Sequence, residues 1–108
     1  MLAGPFQLNE VALHVNGVSP GVYILSRDGR TAAYVGRSDT DVAGRIQGSA
    51  REGPGYVFFW FQWASSSQDA YRSECEYYHR YNPPDNTVHP AVPLGANWRC
   101  PVVGCPWS

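Results

Sequence analysis

A chain of 108 residues with 44% hydrophobic side chains has material for one domain built on one modest core, and residues 1–108 are read as a single domain. Charged residues make up 16%, against about 25% in an average globular protein, which excludes a charge-driven disordered chain. The net charge is −1, all eight basic residues are Arg, and the longest apolar run, Tyr56 to Phe61, is far too short for a membrane span, so neither a global pull on nucleic acid nor a membrane anchor is expected.

MLAGPFQLNE at the start lacks the basic and long apolar stretches of a secretory signal, so a soluble cytoplasmic protein is expected. Residues 21–27 and 31–37 then read as two strands joined at Asp28-Gly29, a strong hairpin signal. A two-residue turn there pairs Gly21 with Gly36, Val22 with Val35 and Tyr23 with Tyr34, placing both tyrosines on one face of the sheet. Ser38, Asp39 or Asp41 can cap a short helix carrying Val42, Arg45 and Ile46. Residues 56–63, aromatic at alternating positions of both parities, read as a strand covered on both faces. Ser66-Ser67-Gln68-Asp69 reads as a helix start, and Pro83-Pro84 ends that helix after about Tyr81. The order predicts an α+β fold, with a small three-stranded antiparallel sheet flanked by helices.

Six of the nine prolines fall in residues 82–108, where only Asp85 and Arg99 carry a full charge. An irregular, apolar, Pro-rich C-terminal tail (residues 87–108) that wraps the core is expected. In it, Cys100 and Cys105 have the spacing of a loose half zinc site that His79 and His89 can complete as a structural Zn²⁺ centre. A reducing compartment favours free thiols over such a centre, and favours a Cys100–Cys105 disulfide least. Cys75 shares a helix face with Tyr71 and Tyr78 and is assigned to the core.

Gly21-Val22-Tyr23, followed by Tyr34-Val35-Gly36, resembles the double signature of the GIY-YIG nuclease family. Further residues extend the likeness: Arg37 follows the second tripeptide, and Val42-Ala43-Gly44-Arg45 matches an apolar-x-x-Arg helix. Ala70 to Glu74 matches an Ala-x-x-x-Glu helix, and Pro83 and Asn86 stand nine and twelve residues beyond that glutamate. The likeness spans about residues 20–86 and is that of a small stand-alone member.

The resemblance implies a metal-dependent endonuclease that hydrolyses DNA phosphodiester bonds with one divalent ion, Mg²⁺ or Mn²⁺. It implies Glu74 as the metal ligand, with Glu76 as the rival if the helix register differs. Tyr23 is then the general base, Tyr34 orients water or phosphate, and Arg45 grips the scissile phosphate through its planar fork of donors. Arg37 and Asn86 are implied at a neighbouring substrate phosphate. Residue chemistry offers blander readings beside these: an Arg45 ion pair with Asp41 and a structural role for Asn86. Five arginines within residues 27–51 against three acids form a modest basic patch around the implied site. With no room seen for a targeting domain, DNA specificity is expected from a homodimer or a partner. The competing function class is a nucleic-acid-binding or partner-interaction module that keeps the fold without turnover.

Overall fold

A computed structural model describes residues 2–52 and 55–108, the side chains of residues 49–52 excepted. Arg51, one of the five arginines of the basic stretch, therefore has its side chain outside the described set. The elements in chain order are β1 (Ala3–Gln7), a 3₁₀ turn (Leu8–Glu10), α1 (Val11–His14), β2 (Gly21–Ser26), β3 (Tyr34–Ser38), α2 (Val42–Glu52), β4 (Phe58–Trp63) and α3 (Ser67–Tyr81). The fold is α+β. Its open sheet runs in the order β1-β4-β2-β3 and every pairing is antiparallel.

The sheet has four strands rather than the three expected. The additional strand, β1, pairs along β4, with Phe6 opposite Phe59 and an irregularity between Ala3 and Phe6. Its sequence carries Gly4 and Pro5, and its residues are mostly exposed, so it shows neither strand propensity nor alternation. Proline is tolerated there because β1 is an edge strand, where a missing N–H need not break a ladder.

The hairpin register differs from expectation by two residues. Tyr23 faces Gly36, and Tyr34 faces Leu25. The cause is the turn. Asp28 Oδ1 accepts the N–H groups of Arg30 and Thr31, both at 2.8 Å, and Ser26 Oγ accepts that of Gly29 at 3.0 Å. These bonds stabilise a seven-residue loop, 27–33, in place of a tight two-residue turn. A slip of one residue would send every side chain to the opposite face, whereas a slip of two preserves the faces. Tyr23 and Tyr34 therefore remain neighbours, now on a diagonal, with ring centroids 6.3 Å apart.

β2 is buried along its whole length because it lies between β3 and β4 with both faces covered. On one face Tyr23, Leu25, Phe59 and Phe61 pack with Val11 and Val15 and with Val42 and Ile46 of α2. On the other, Val22, Ile24 and Val35 pack with Trp60 and with Tyr77 of α3. A third apolar cluster joins Tyr71 and Cys75 of α3 to Cys100, Cys105, Trp98 and Val102, so the tail folds back onto the helix. No helix among the described residues is long and apolar enough to cross a membrane.

Capping explains both ends of α3. Ser66 Oγ accepts the Asp69 N–H at 3.1 Å, and the Asp69 carboxylate reaches back to the Ser65 N–H at 2.9 Å, satisfying donors that the first turn leaves open. At the other end Asn82 adopts the left-handed conformation, φ 44°, just before Pro83 and Pro84. Asp41 caps α2 by accepting the Gly44 N–H at 3.2 Å.

β3 is an edge strand, and its outer side is closed by a side chain. Asn86 Oδ1 accepts the Val35 N–H at 2.8 Å, and Asn86 Nδ2 donates to the Val35 carbonyl at 2.9 Å. The amide thus stands in for a fifth strand. Asn86→Ala should destabilise the fold by about 1–3 kcal/mol, since it removes two hydrogen bonds and leaves a part-buried N–H unpaired. Chemical denaturation measures this, and an unchanged midpoint would show that water replaces the amide without loss.

Candidate functional site

Two tyrosines, two arginines, a glutamate and an asparagine nominated from the sequence come together around one cavity of about 570 Å³ beside β3. These are Tyr23, Tyr34, Arg37, Arg45, Glu74 and Asn86. The tyrosines come from the sheet face that packs on α2, Arg45 from α2 itself, and Glu74 from α3. The cavity is thus reached from both sides of the edge strand. A second groove of about 530 Å³ shares Tyr34, Ser38, Thr40 and Arg45 with it and continues along α2 to Gly48.

Gly36 explains how Tyr23 fits. A Cβ at position 36 would lie 2.5 Å from the phenol carbon and closer still to the hydroxyl, so only glycine admits the ring across the strand. Gly21 plays a similar part: a Cβ there would come within 2.8 Å of the Gln62 carbonyl oxygen on β4 and 3.2 Å of Val42 on α2. Both signature glycines thus have packing reasons in this chain. Tyr23 is 1% exposed, with its body in the core and its edge at the cavity wall.

Glu74 is the buried acid of the site, 7% exposed on α3. Its Oε1 accepts from Arg37 Nη1 at 2.6 Å. Burial pushes the carboxyl above the ordinary glutamate range, and the Arg37 hydrogen bond and charge oppose this without cancelling it. Glu76, the rival ligand, does not line the cavity and is exposed.

Arg37, expected at a substrate phosphate, lines the cavity and is also held by the protein. All three nitrogens of its guanidinium are committed to the protein: Nη1 to Glu74, Nε to Asp39 at 3.0 Å and Nη2 to the Ala91 carbonyl at 2.6 Å. Its charge also lies over the Tyr71 ring, 5.2 Å from the centroid. Burial works to lower its pKa, but Glu74 and Asp39 outweigh it and hold the group even more firmly protonated than usual. Arg37 is thus a clamp on the acid. Asn86, also expected at a phosphate, is the tether on Val35 described above.

Arg45 is the contrasting cation. It is exposed, and among the described residues it makes no ion pair; the carboxylate of Asp41 turns to the α2 N-terminus instead. Its planar fork is therefore available to an anion entering the cavity.

The segment after α3 forms the outer wall; the sequence pointed to Asn86 and His89 in it but gave no signal for Asp85, Thr87 or Val88. Asp85 anchors its start: its carboxylate accepts from Tyr56 Oη at 2.5 Å and from Arg27 Nη2 at 2.6 Å, and its N–H donates to the Ala33 carbonyl. These partners lower the Asp85 pKa, while burial together with Asp85 pushes the Tyr56 phenol up to about 12. Thr87, Val88 and His89 continue the wall to Ala91, whose carbonyl holds Arg37.

Behind that wall, His79, His89, Cys100 and Cys105 form a group able to hold a metal ion. Their candidate ligand atoms all lie within 4.8 Å of one another. All three cysteines are free thiols, and Cys75 is buried outside this group. The remaining histidine, His14, stacks on Phe6 at 3.8 Å and takes no part in the cavity. No family model, curated protein or solved structure matches this chain.

Proposed function

We propose that this chain is a GIY-YIG-type, metal-dependent endonuclease that hydrolyses DNA phosphodiester bonds. The observation that carries the reading is the convergence of Tyr23, Tyr34, Arg45 and Glu74 on one cavity, although they arise from two strands and two helices. These are the four residues that the motif likeness nominates as catalytic.

The donor set suits a hard divalent cation. Glu74 takes a hydrogen bond only at Oε1 among the described residues, and the cavity adds the oxygens of Ser38, Asp39 and Thr40 but no thiol. One carboxylate oxygen together with waters and substrate oxygens is how Mg²⁺ is usually held, so Glu74 would be the protein ligand. Such an ion, when bound, acts as a Lewis acid that supports charge on the leaving 3′ oxygen. Arg37 holds the carboxylate in place through Oε1.

Arg45 binds the scissile phosphate as negative charge grows on it, through two parallel N–H donors. Tyr23 accepts a proton from the attacking water. A phenol with a pKa near 10 is only ~0.1% ionised at neutral pH, so this role requires positive charge in the cavity that Tyr23 shares with Arg45. Tyr34 sits against Tyr23 and orients the water or the phosphate. The groove running on towards Gly48 provides a path for the strand beyond the cut. DNA is the proposed substrate, with a second copy or a partner protein supplying specificity.

Incubation with supercoiled plasmid and Mg²⁺ or Mn²⁺ tests this directly. The intact chain should nick, and Arg45→Ala should lower the rate by about 10²–10³-fold, in line with loss of a preorganised charge-stabilising donor. Arg72→Ala, an exposed change outside both the cavity lining and the basic stretch, should leave the rate unaltered. Equal rates for wild type and Arg45→Ala would sink the assignment. The Arg37 pairing with Glu74 favours one second reading, a DNA-binding module without turnover, and DNA retention with no nicking under either metal would select it.

A further inference from the structure

The geometry points to a structural zinc centre built from His79, His89, Cys100 and Cys105, which pins the outer wall of the cavity to α3 and the tail. The inference is independent of whether the cavity cleaves DNA. His79 stands in the last turn of α3, His89 on the wall segment, and the two cysteines flank a turn in the tail. Three successive stretches, ten and eleven residues apart, thus bring one ligand atom each, or two, to a common point.

Zn–S bonds of about 2.3 Å and Zn–N bonds of about 2.0–2.1 Å place neighbouring ligand atoms of a tetrahedron roughly 3.4–3.8 Å apart. Cys105 Sγ and His89 Nε2 already lie 3.4 Å apart. The ligand atoms all lie within 4.8 Å of one another, so a contraction of at most about 1–1.4 Å meets that tetrahedral edge. With two thiolates and two neutral imidazoles, a Zn²⁺ ion gives a site of zero net charge, the arrangement that burial penalises least.

The surroundings are those of a ligand set. His89 Nδ1 lies 3.0 Å from the Pro90 carbonyl, so the proton belongs on Nδ1 and the lone pair of Nε2 is directed to Cys105. The Trp107 N–H points at Cys105 Sγ from 3.5 Å and stabilises negative charge on sulfur. The Trp107 ring stacks on His89, 5.4 Å between centroids and 13° from parallel, and shields that side from water. The Cys100 N–H donates to the Trp107 carbonyl at 3.0 Å, closing the turn that carries both thiols. Four protein ligands complete the coordination shell and leave no open position for a substrate, which makes the centre structural. Binding displaces the two thiol protons to solvent, with no change of oxidation state.

The centre has a mechanical consequence. His89 is two residues from Ala91, whose carbonyl holds Arg37 at 2.6 Å, and Arg37 in turn holds Glu74. Fixing His89 therefore fixes the clamp on the buried acid.

The test uses the full chain purified without chelator or metal-affinity resin. Elemental analysis should find one zinc per chain, and cobalt exchange should give thiolate-to-metal charge transfer with tetrahedral absorption. Cys100→Ser with Cys105→Ser should lose the zinc. Because that variant removes two buried groups and can misfold, His79→Ala, at an exposed position, is the second probe. It should release zinc to a chromophoric chelator at least about tenfold faster. His14→Ala should retain full zinc. Chelation of the wild type should lower the melting temperature by roughly 10 °C or more and open the tail to trypsin at Arg99. Four results overturn the proposal: folded wild type with no zinc after incubation with the ion, a Cys100–Cys105 disulfide in the native mass, zinc release unaltered in His79→Ala, or continued protection of Arg99 after chelation.

Discussion

Glu74→Gln should abolish metal-dependent nicking while the chain stays folded. Glutamine has the shape of the acid, and its amide oxygen can still accept from Arg37 Nη1, so the local packing survives. What disappears is the negative charge that a divalent ion requires. Glu74→Ala should also be inactive but far less stable, by about 3 kcal/mol, because it leaves a mostly buried guanidinium without its nearest anion. Arg37 keeps Asp39 and the Ala91 carbonyl, which places the loss at the lower end for a broken buried pair. Activity assays and denaturation of the two variants side by side separate the chemical role from the structural one. Unaltered nicking in Glu74→Gln would remove Glu74 from the mechanism.

The same residue sets a pH dependence in metal-free protein. Burial raises the Glu74 pKa in the folded chain above its unfolded value, Arg37 notwithstanding. The folded state therefore binds this proton more tightly than the unfolded state does. Its contribution to stability is full below the unfolded value of about 4.3 and is lost as pH rises through the raised folded value. Wild type should thus lose stability relative to Glu74→Gln as pH increases through this window. A gap that stays constant, or widens in favour of the wild type, would mean that the Arg37 pair outweighs burial.

Gly36→Ala should damage both the sheet and the cavity. The added methyl would overlap the Tyr23 phenol, a ring that is 1% exposed and already bounded by Tyr34 and the core. Overpacking of this kind costs about 1–3 kcal/mol, or on the order of 5–15 °C in melting temperature for a domain of this size. Relief is available only by shifting Tyr23 at the cavity, so nicking should fall with stability. Gly48→Ala provides the contrast: it is helical, no atom lies within 4 Å of an added Cβ, and it should stabilise α2 by roughly 0.5–1 kcal/mol. Thermal unfolding of both variants tests the pair, and a Gly36→Ala protein as stable as wild type would refute the close approach.

Much of the fold can be read directly from neighbouring residues. Ser66 and Asp69 announce the start of α3, and Asn82 with Pro83 its end, because capping involves only groups a few positions apart. The aromatic alternation of residues 56–63 marks β4, now the centre of the β1 and β2 pairings, although Phe58–Trp63 is shorter than the stretch expected. Tyr23 and Tyr34 stay neighbours at a register two residues away from the tight-turn expectation, because side-chain direction repeats every two residues. That register comes from the Asp28 loop, whose Asx-type hydrogen bonds outcompete a tight turn. Strand β1 carried no local signal: its Gly-Pro sequence is extended only because β4 offers it an edge.

The motif likeness named Tyr23, Tyr34, Arg37, Arg45, Glu74 and Asn86 at the cavity, but not their partners. That Arg37 meets Glu74, or that Asn86 meets Val35, depends on how α3 and the segment after it cross the edge of the sheet. No spacing rule links a strand, a helix and a loop in that way. The four metal-capable side chains show the same division. Their chemistry was written in the chain, and their convergence came from the tail folding back on α3 through Tyr71, Cys75 and Trp98. Periodicity, caps and close-packed glycines act over a few residues and so belong to the sequence. The choice of which charge faces which is made by long-range packing, since desolvation and Coulomb attraction depend on distances that only the assembled fold defines.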